Sequence, residues 1–200
     1  MKTYKNILLL LVFGAMVSGG CDVQNSQQDS GDFEQIYSEL KGIWQPVSSQ
    51  SERPVDANFD GVSSTNMLDE LTNSQNYTLS VRILKKEESL TETDYRHVLA
   101  MPYSVQVFPV EASPKSADFY INYIMNVVTL QFEVNQAQDA FILNPKSASE
   151  DQEKHPFPES ITLTNNRLTI EVTMQKELYT ASGWHTVTIK TRYSRISETT

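Results

Sequence analysis

The clearest chemical pattern in the chain is Asp56, Asn58 and Asp60 followed by Gly61. This D-x-N-x-D-G spacing matches the first half of a calcium loop. Alternate residues of a tight turn aim oxygens at one centre, and the glycine permits the bend. Val62 would then offer its carbonyl at loop position 7, and Ser64 stands at position 9. The pattern breaks at position 12, where Met67 replaces the bidentate Glu; Asp69 and Glu70 follow two and three residues later, within reach of a longer loop. The same residue types also build an Asx-rich turn before a helix, with no metal. Calcium is the one cofactor the sequence suggests, held by Asp56, Asn58, Asp60, Val62 and Ser64.

No other constellation is organised for chemistry. His97, His155 and His185 share no metal-ligand spacing, and no G-x-S-x-G elbow, P-loop or G-x-G-x-x-G occurs. Serines and carboxylates are plentiful but unordered, so no catalytic set can be named and an enzyme is not expected. His185, beside Trp184, reads as a surface or strand-edge histidine. The aromatic stretch Phe119–Tyr123 reads as core, with the lining of a ligand cavity as the alternative.

Cys21 is the only cysteine. Before it stand Lys2 and Lys5, the apolar run Ile7–Val12 and the small residues Ser18-Gly19-Gly20, the layout of a secretory signal. The small-small-Cys ending resembles the lipobox of bacterial lipoproteins, which implies lipidation of Cys21 and a membrane anchor at the cell envelope, with the outer membrane as the expected address. The apolar run is too short to span a bilayer, which takes about 20 residues. The expected organisation is a signal peptide over 1–20, a lipidated Cys with a flexible Gln/Ser/Asp tether over 21–32, and one domain over 33–196. The whole chain carries a net charge of −9; without Lys2 and Lys5 it carries −11. That balance opposes nucleic acid and anionic membrane surfaces as partners.

The domain opens with a helical pattern: Asp32 as N-cap, then Phe33, Ile36, Tyr37 and Leu40 on one face, with Gly42 ending it. Ile43-Trp44 opens the first strand. Ser48–Asn76 is polar and reads as a long connection, with one helical turn over Asn66–Leu71. From Tyr77 the apolar period is two: Tyr77–Ile83, Tyr103–Val107, Phe119–Tyr123, Val128–Val134, Ala140–Leu143, Ile161–Leu163, Leu168–Met174 and Trp184–Ile196. Asn165-Asn166 and Ser182-Gly183 are hairpin turns. Eight to ten strands with short turns predict an all-β, antiparallel up-and-down barrel of about eight strands with a short N-terminal helix; a β-sandwich is the alternative.

Gly42-Ile43-Trp44 after a short helix resembles the opening of a lipocalin, and more narrowly that of the lipocalin-like lipoproteins of Bacteroidetes-type bacteria. Leu40–Trp44, Asp56–Gly61, Gly183-Trp184 and Tyr193-Ser194-Arg195 carry the likeness. The resemblance implies that Trp44 is structural and that an Arg of the last strand, Arg192 or Arg195, packs on it. It also implies a binding role: a small apolar or amphipathic ligand inside the barrel. The alternative is a filled barrel that contacts a protein or glycan of the envelope. Large apolar residues on the inward positions of most strands favour filling.

Overall fold

The computed structural model describes residues 30–85, 95–109, 115–116, 118–144 and 157–199. The signal, Cys21 and nearly all of the tether lie outside the described residues. Among the described residues two α-helices, one 3-10 turn (Ser74–Asn76) and nine strands occur: α1 Ser30–Leu40, β1 Gly42–Val55, β2 Ser64–Asn66, α2 Met67–Glu70, β3 Leu79–Lys85, β4 Tyr95–Val107, β5 Asn122–Val134, β6 Phe141–Asn144, β7 Ser160–Thr164, β8 Thr169–Thr180 and β9 Gly183–Ser197.

The sheet order is β6-β5-β4-β3-β1-β9-β8-β7, all antiparallel, with β2 attached to β1. Leaving β2 aside, strands adjacent in the chain are adjacent in space, and the first strand pairs with the last. This is the up-and-down barrel, not the sandwich. It is nearly closed: at the β6–β7 seam only Ala140 bridges to Thr162, with Leu163 N–H donating to the Asp139 carbonyl at 2.7 Å.

Several boundaries differ from the sequence reading. The helix begins at Ser30, inside the span assigned to the tether. Its apolar face is as expected, with Ile36, Tyr37 and Leu40 buried. The helix stops at Leu40, just before Gly42 as expected; that glycine is also the first residue of β1, with φ +144°, and a Cβ there would collide with the Ser197 carbonyl oxygen. Only glycine lets β1 pass β9 that closely. β1 also runs on through Ser48–Val55, a stretch read as loop. Its inward positions there include Ser49 and Ser51, which are buried but hydrogen-bonded, so small polar residues replace the apolar alternation that betrays a strand. Pro46 is tolerated where the β1–β9 register shifts, between Pro46 and Ser48. Phe119–Ile121 precede β5 and are not strand; Asn122–Val134 is one strand, not two.

The core has two parts. The larger gathers α1 and Trp44 with Leu79, Val81, Leu99, Leu130, Phe132, Ile161 and Ile170. The smaller, toward the other end, holds Val55, Ala57, Met67, Leu71, Tyr123, Leu178, Val187 and Ile189. At the helix end Trp44 Nε1–H donates to the Leu40 carbonyl (3.1 Å), and the Arg195 guanidinium lies 5.9 Å from the indole centroid. Arg195 also donates to the Glu39 carbonyl at 2.5 Å, placing a cation on the last turn of α1. Arg192 does not take part: it points outward and pairs with Glu171 at 2.8 Å.

Candidate functional site

The end of the barrel opposite α1 holds the acidic loop and a cluster of aromatic rings. Its first component is the acidic loop. Gly61 N–H donates to Asp56 Oδ2 (3.1 Å), Asp60 N–H to Asn58 Oδ1 (2.9 Å) and Val62 N–H to Asp60 Oδ1 (2.8 Å). Gly61 sits at φ +86°, which makes this sharp turn possible. Glu70, only 2% exposed, reaches in from α2, and its Oε2 accepts from the Ala57 and Asn58 amides at 2.8 and 3.3 Å. Of the two trailing carboxylates, Glu70 is therefore the one turned toward the loop. Asp69 instead accepts from the Asn66 side chain, and Ser64 Oγ from Asn66 N–H.

Burial holds the Glu70 carboxyl above the ordinary carboxylate value. The two amides oppose that shift, and the charges of Asp56 and Asp60 reinforce it. Asp56 Oδ1 is buried with no hydrogen-bond partner. The donor set is right for a hard cation, but its oxygens are engaged with loop amides. Among the described residues, no three His, Cys, Asp or Glu side chains converge on a common point as a metal site requires. The arrangement as it stands is a ladder of Asx turns braced by a buried glutamate.

The second component is aromatic. Phe59 from the loop tip, Phe108 after β4, Phe119 before β5, Tyr179 of β8 and Trp184 of β9 form one cluster. Tyr179 and Phe108 stack at 4.8 Å, Phe59 and Phe119 meet at 4.8 Å, and Trp184 packs on Tyr179 at 5.3 Å. These rings hold Trp184 from behind while leaving it 61% exposed. In front of it runs a groove of about 380 Å³, lined by β4 (Tyr103 to Gln106) and by Gln175, Lys176 and Glu177 of β8. Here β4 and β8 are joined by a side chain: Gln106 accepts from Tyr179 N–H (2.7 Å) and donates to its carbonyl (3.0 Å). Of Phe119–Tyr123, read as core, Tyr123 is buried, its hydroxyl donating to the Ala57 carbonyl at 2.7 Å, but Tyr120 is exposed.

A second depression, about 420 Å³, lies between the loop and the β8–β9 turn and contains Arg53, Asp56, Ser182 and His185. His185 Nε2 and Ser182 Oγ are 2.7 Å apart. Among the described residues no carboxylate orients the other ring nitrogen, and Ser182 is tied to Thr180 within the turn. The pair closes a hairpin and lacks the third group that a nucleophilic serine needs.

The third component is internal. Between the two core clusters lies a cavity of about 60 Å³, lined by apolar side chains, Leu71, Met174 and Ile189 among them, and by the hydroxyl-bearing Tyr103, Ser104 and Tyr193. Lys176 enters it. Its Nζ donates to the Ser104 carbonyl (2.6 Å) and to Ser104 Oγ, and burial lowers its pKa to about 7. The sequence reading missed this lysine, although the signal was present. Ile170, Val172, Met174 and Leu178 all face inward, and Lys176 sits in phase with them.

No protein family, curated protein or solved structure matches the chain.

Proposed function

We propose that the protein is a lipid-anchored lipoprotein of the cell envelope, attached through Cys21, whose filled barrel binds an envelope glycan in the groove at Trp184. One contrast carries this reading. The interior offers about 60 Å³, whereas pockets for small organic ligands run to about 300–1,000 Å³; the outer groove offers about 380 Å³. That difference in volume supports a ligand on the outer face over a fatty acid or similar apolar ligand held in this cavity. An exposed indole can stack against the C–H face of a sugar, and the neighbouring Gln175 and Glu177 supply hydrogen-bonding groups for its hydroxyls. The negative charge of the chain favours neutral or basic glycans over acidic ones.

The two tryptophans make the test direct, because Trp44 is buried and Trp184 is not. Titrating the full chain in detergent with soluble peptidoglycan fragments and neutral envelope polysaccharides should change the exposed tryptophan emission. Trp184→Ala should abolish the change while leaving the circular dichroism intact. If no glycan alters the emission, or Trp184→Ala responds as the parent does, the groove is not a sugar site.

A second reading concerns the acidic loop. The buried, unpartnered Asp56 Oδ1 and the mutual repulsion of Asp56, Asp60 and Glu70 favour a calcium ion bound there from the medium. Such an ion would brace the loop that carries Phe59, and with it the aromatic backing of Trp184.

A further inference from the structure

Lys176 is a lysine whose amine is enclosed between β4 and β8, and neither reading gives that amine a role. It lines both the internal cavity and the outer groove, so its side chain forms part of the wall between them. The residue is part-exposed along its length, but its amine end is enclosed. Two of its hydrogen-bond partners are the carbonyl and hydroxyl of Ser104. Among the described residues no carboxylate lies within ion-pairing distance of it. The titratable groups that face it across the cavity are Tyr77, Tyr103 and Tyr193, none of which carries a negative charge near neutral pH.

We infer that Lys176 is a covalent attachment site for a small aldehyde, which enters from the groove and is held as an imine in the cavity. A desolvated lysine with no counter-charge is the form that attacks carbonyls. Burial lowers its pKa to about 7, so much of it is the neutral amine at physiological pH. The lone pair of Nζ attacks the carbonyl carbon and a C–N bond forms. The oxygen collects a proton from nitrogen to give a carbinolamine. That hydroxyl then leaves as water with the remaining N–H proton, and C=N results. One water is released, and no oxidant or reductant is needed. The small volume, about 60 Å³, restricts the guest to a short-chain aldehyde. The apolar part of the lining suits an alkyl aldehyde, and the hydroxyls of Tyr103 and Tyr193 stand in the same wall for one that carries a hydroxyl of its own.

This inference stands apart from the glycan reading, since it concerns the wall and the cavity and not the indole. The full chain in detergent is treated with acetaldehyde and, separately, glycolaldehyde at pH 7, with cyanoborohydride to trap the imine, and the adducts are located by peptide mapping. Lys176 should label at least about tenfold faster than the exposed Lys41 and Lys190, because ordinary lysines are almost wholly protonated at this pH. Its labelling should be half-maximal near pH 7, well below the range of a lysine free in water. Lys176→Arg should remove that adduct and leave the others; Lys176→Met serves if the arginine disturbs folding. Labelling of Lys176 at or below the rate of Lys41 and Lys190, or a profile that climbs with theirs, overturns the inference.

Discussion

Trp44 and Trp184 lie at opposite ends of the same barrel, one near the start of β1 beside the end of β9, the other at the start of β9. Trp44 is 1% exposed, its indole N–H bonded to the helix and its ring covered by Arg195. Trp184 is 61% exposed and is steadied by other rings, Tyr179 and Phe108. Both ends use an aromatic residue on the terminal strands. At the helix end the indole is consumed in closing the core; at the loop end it is left facing solvent by side chains that are themselves packed. The contrast separates closing from presenting by position: α1 and Arg195 seal the core, while the ring cluster holds an indole out to solvent.

The sharpest test removes each indole in turn. Trp44→Ala should destabilise by about 3–5 kcal/mol, as truncation of a buried tryptophan does, measured by urea unfolding. Equal losses for Trp44→Ala and Trp184→Ala would break the contrast.

Between the ends, Lys176 tests the interior. Its pKa is lowered in the folded state, so the unfolded chain binds the extra proton between about pH 7 and the unfolded value near 10.4. Its burial therefore opposes folding fully below pH 7, and the opposition fades as pH rises toward 10. Lys176→Met should raise stability at pH 7 by a few kcal/mol, on the order of 2–4. The gain should shrink to near zero at pH 10, read from unfolding curves at both values. A gain independent of pH would mean that methionine simply packs better.

The calcium reading sharpens the loop end by a smaller amount. With a dissociation constant of about 10⁻³ M, a few millimolar calcium contributes roughly 1 kcal/mol. The melting temperature should rise in calcium relative to chelator, and Asp60→Ala should erase the difference. Identical melting curves in the parent protein would leave the loop as a metal-free Asx turn. Smallest of all, Trp184→Ala should change stability by no more than about 0.5 kcal/mol.

The sequence was most legible where the apolar period is strict and the turns are marked. Ile161–Leu163, Asn165-Asn166 and Leu168–Met174 form the hairpin they suggest, with Asn165, Asn166 and Arg167 all at positive φ. The turn over Asn66–Leu71 is α2, buried through Met67 and flanked by the buried Leu71, and Asn66 caps it. The second half of β1 was not legible, because its inward positions are serines whose partners, such as Thr191 for Ser49, are remote in sequence. Phe119–Ile121 alternates like a strand, yet Phe119 is drawn into the ring cluster before β5 begins. In the acidic loop, spacing foretold the Asx turns, but Glu70 joins them only because α2 folds beneath. The groove at Trp184 needed the approach of β4 to β8, which no local pattern encodes.

The pairing of β1 with β9 has a kinetic consequence. Ile43 finds its partner in Ser197, and Trp44 in Arg195. The hairpins β4–β5, β7–β8 and β8–β9 form from local contacts, but the barrel closes only by a contact between the two extremes of the domain. Such long-range pairing is slow to nucleate. A chain delivered N-terminus first would hold Trp44 unburied until its last strand arrived. Loss of that strand would therefore deny the domain its folding step as well as a share of its stability.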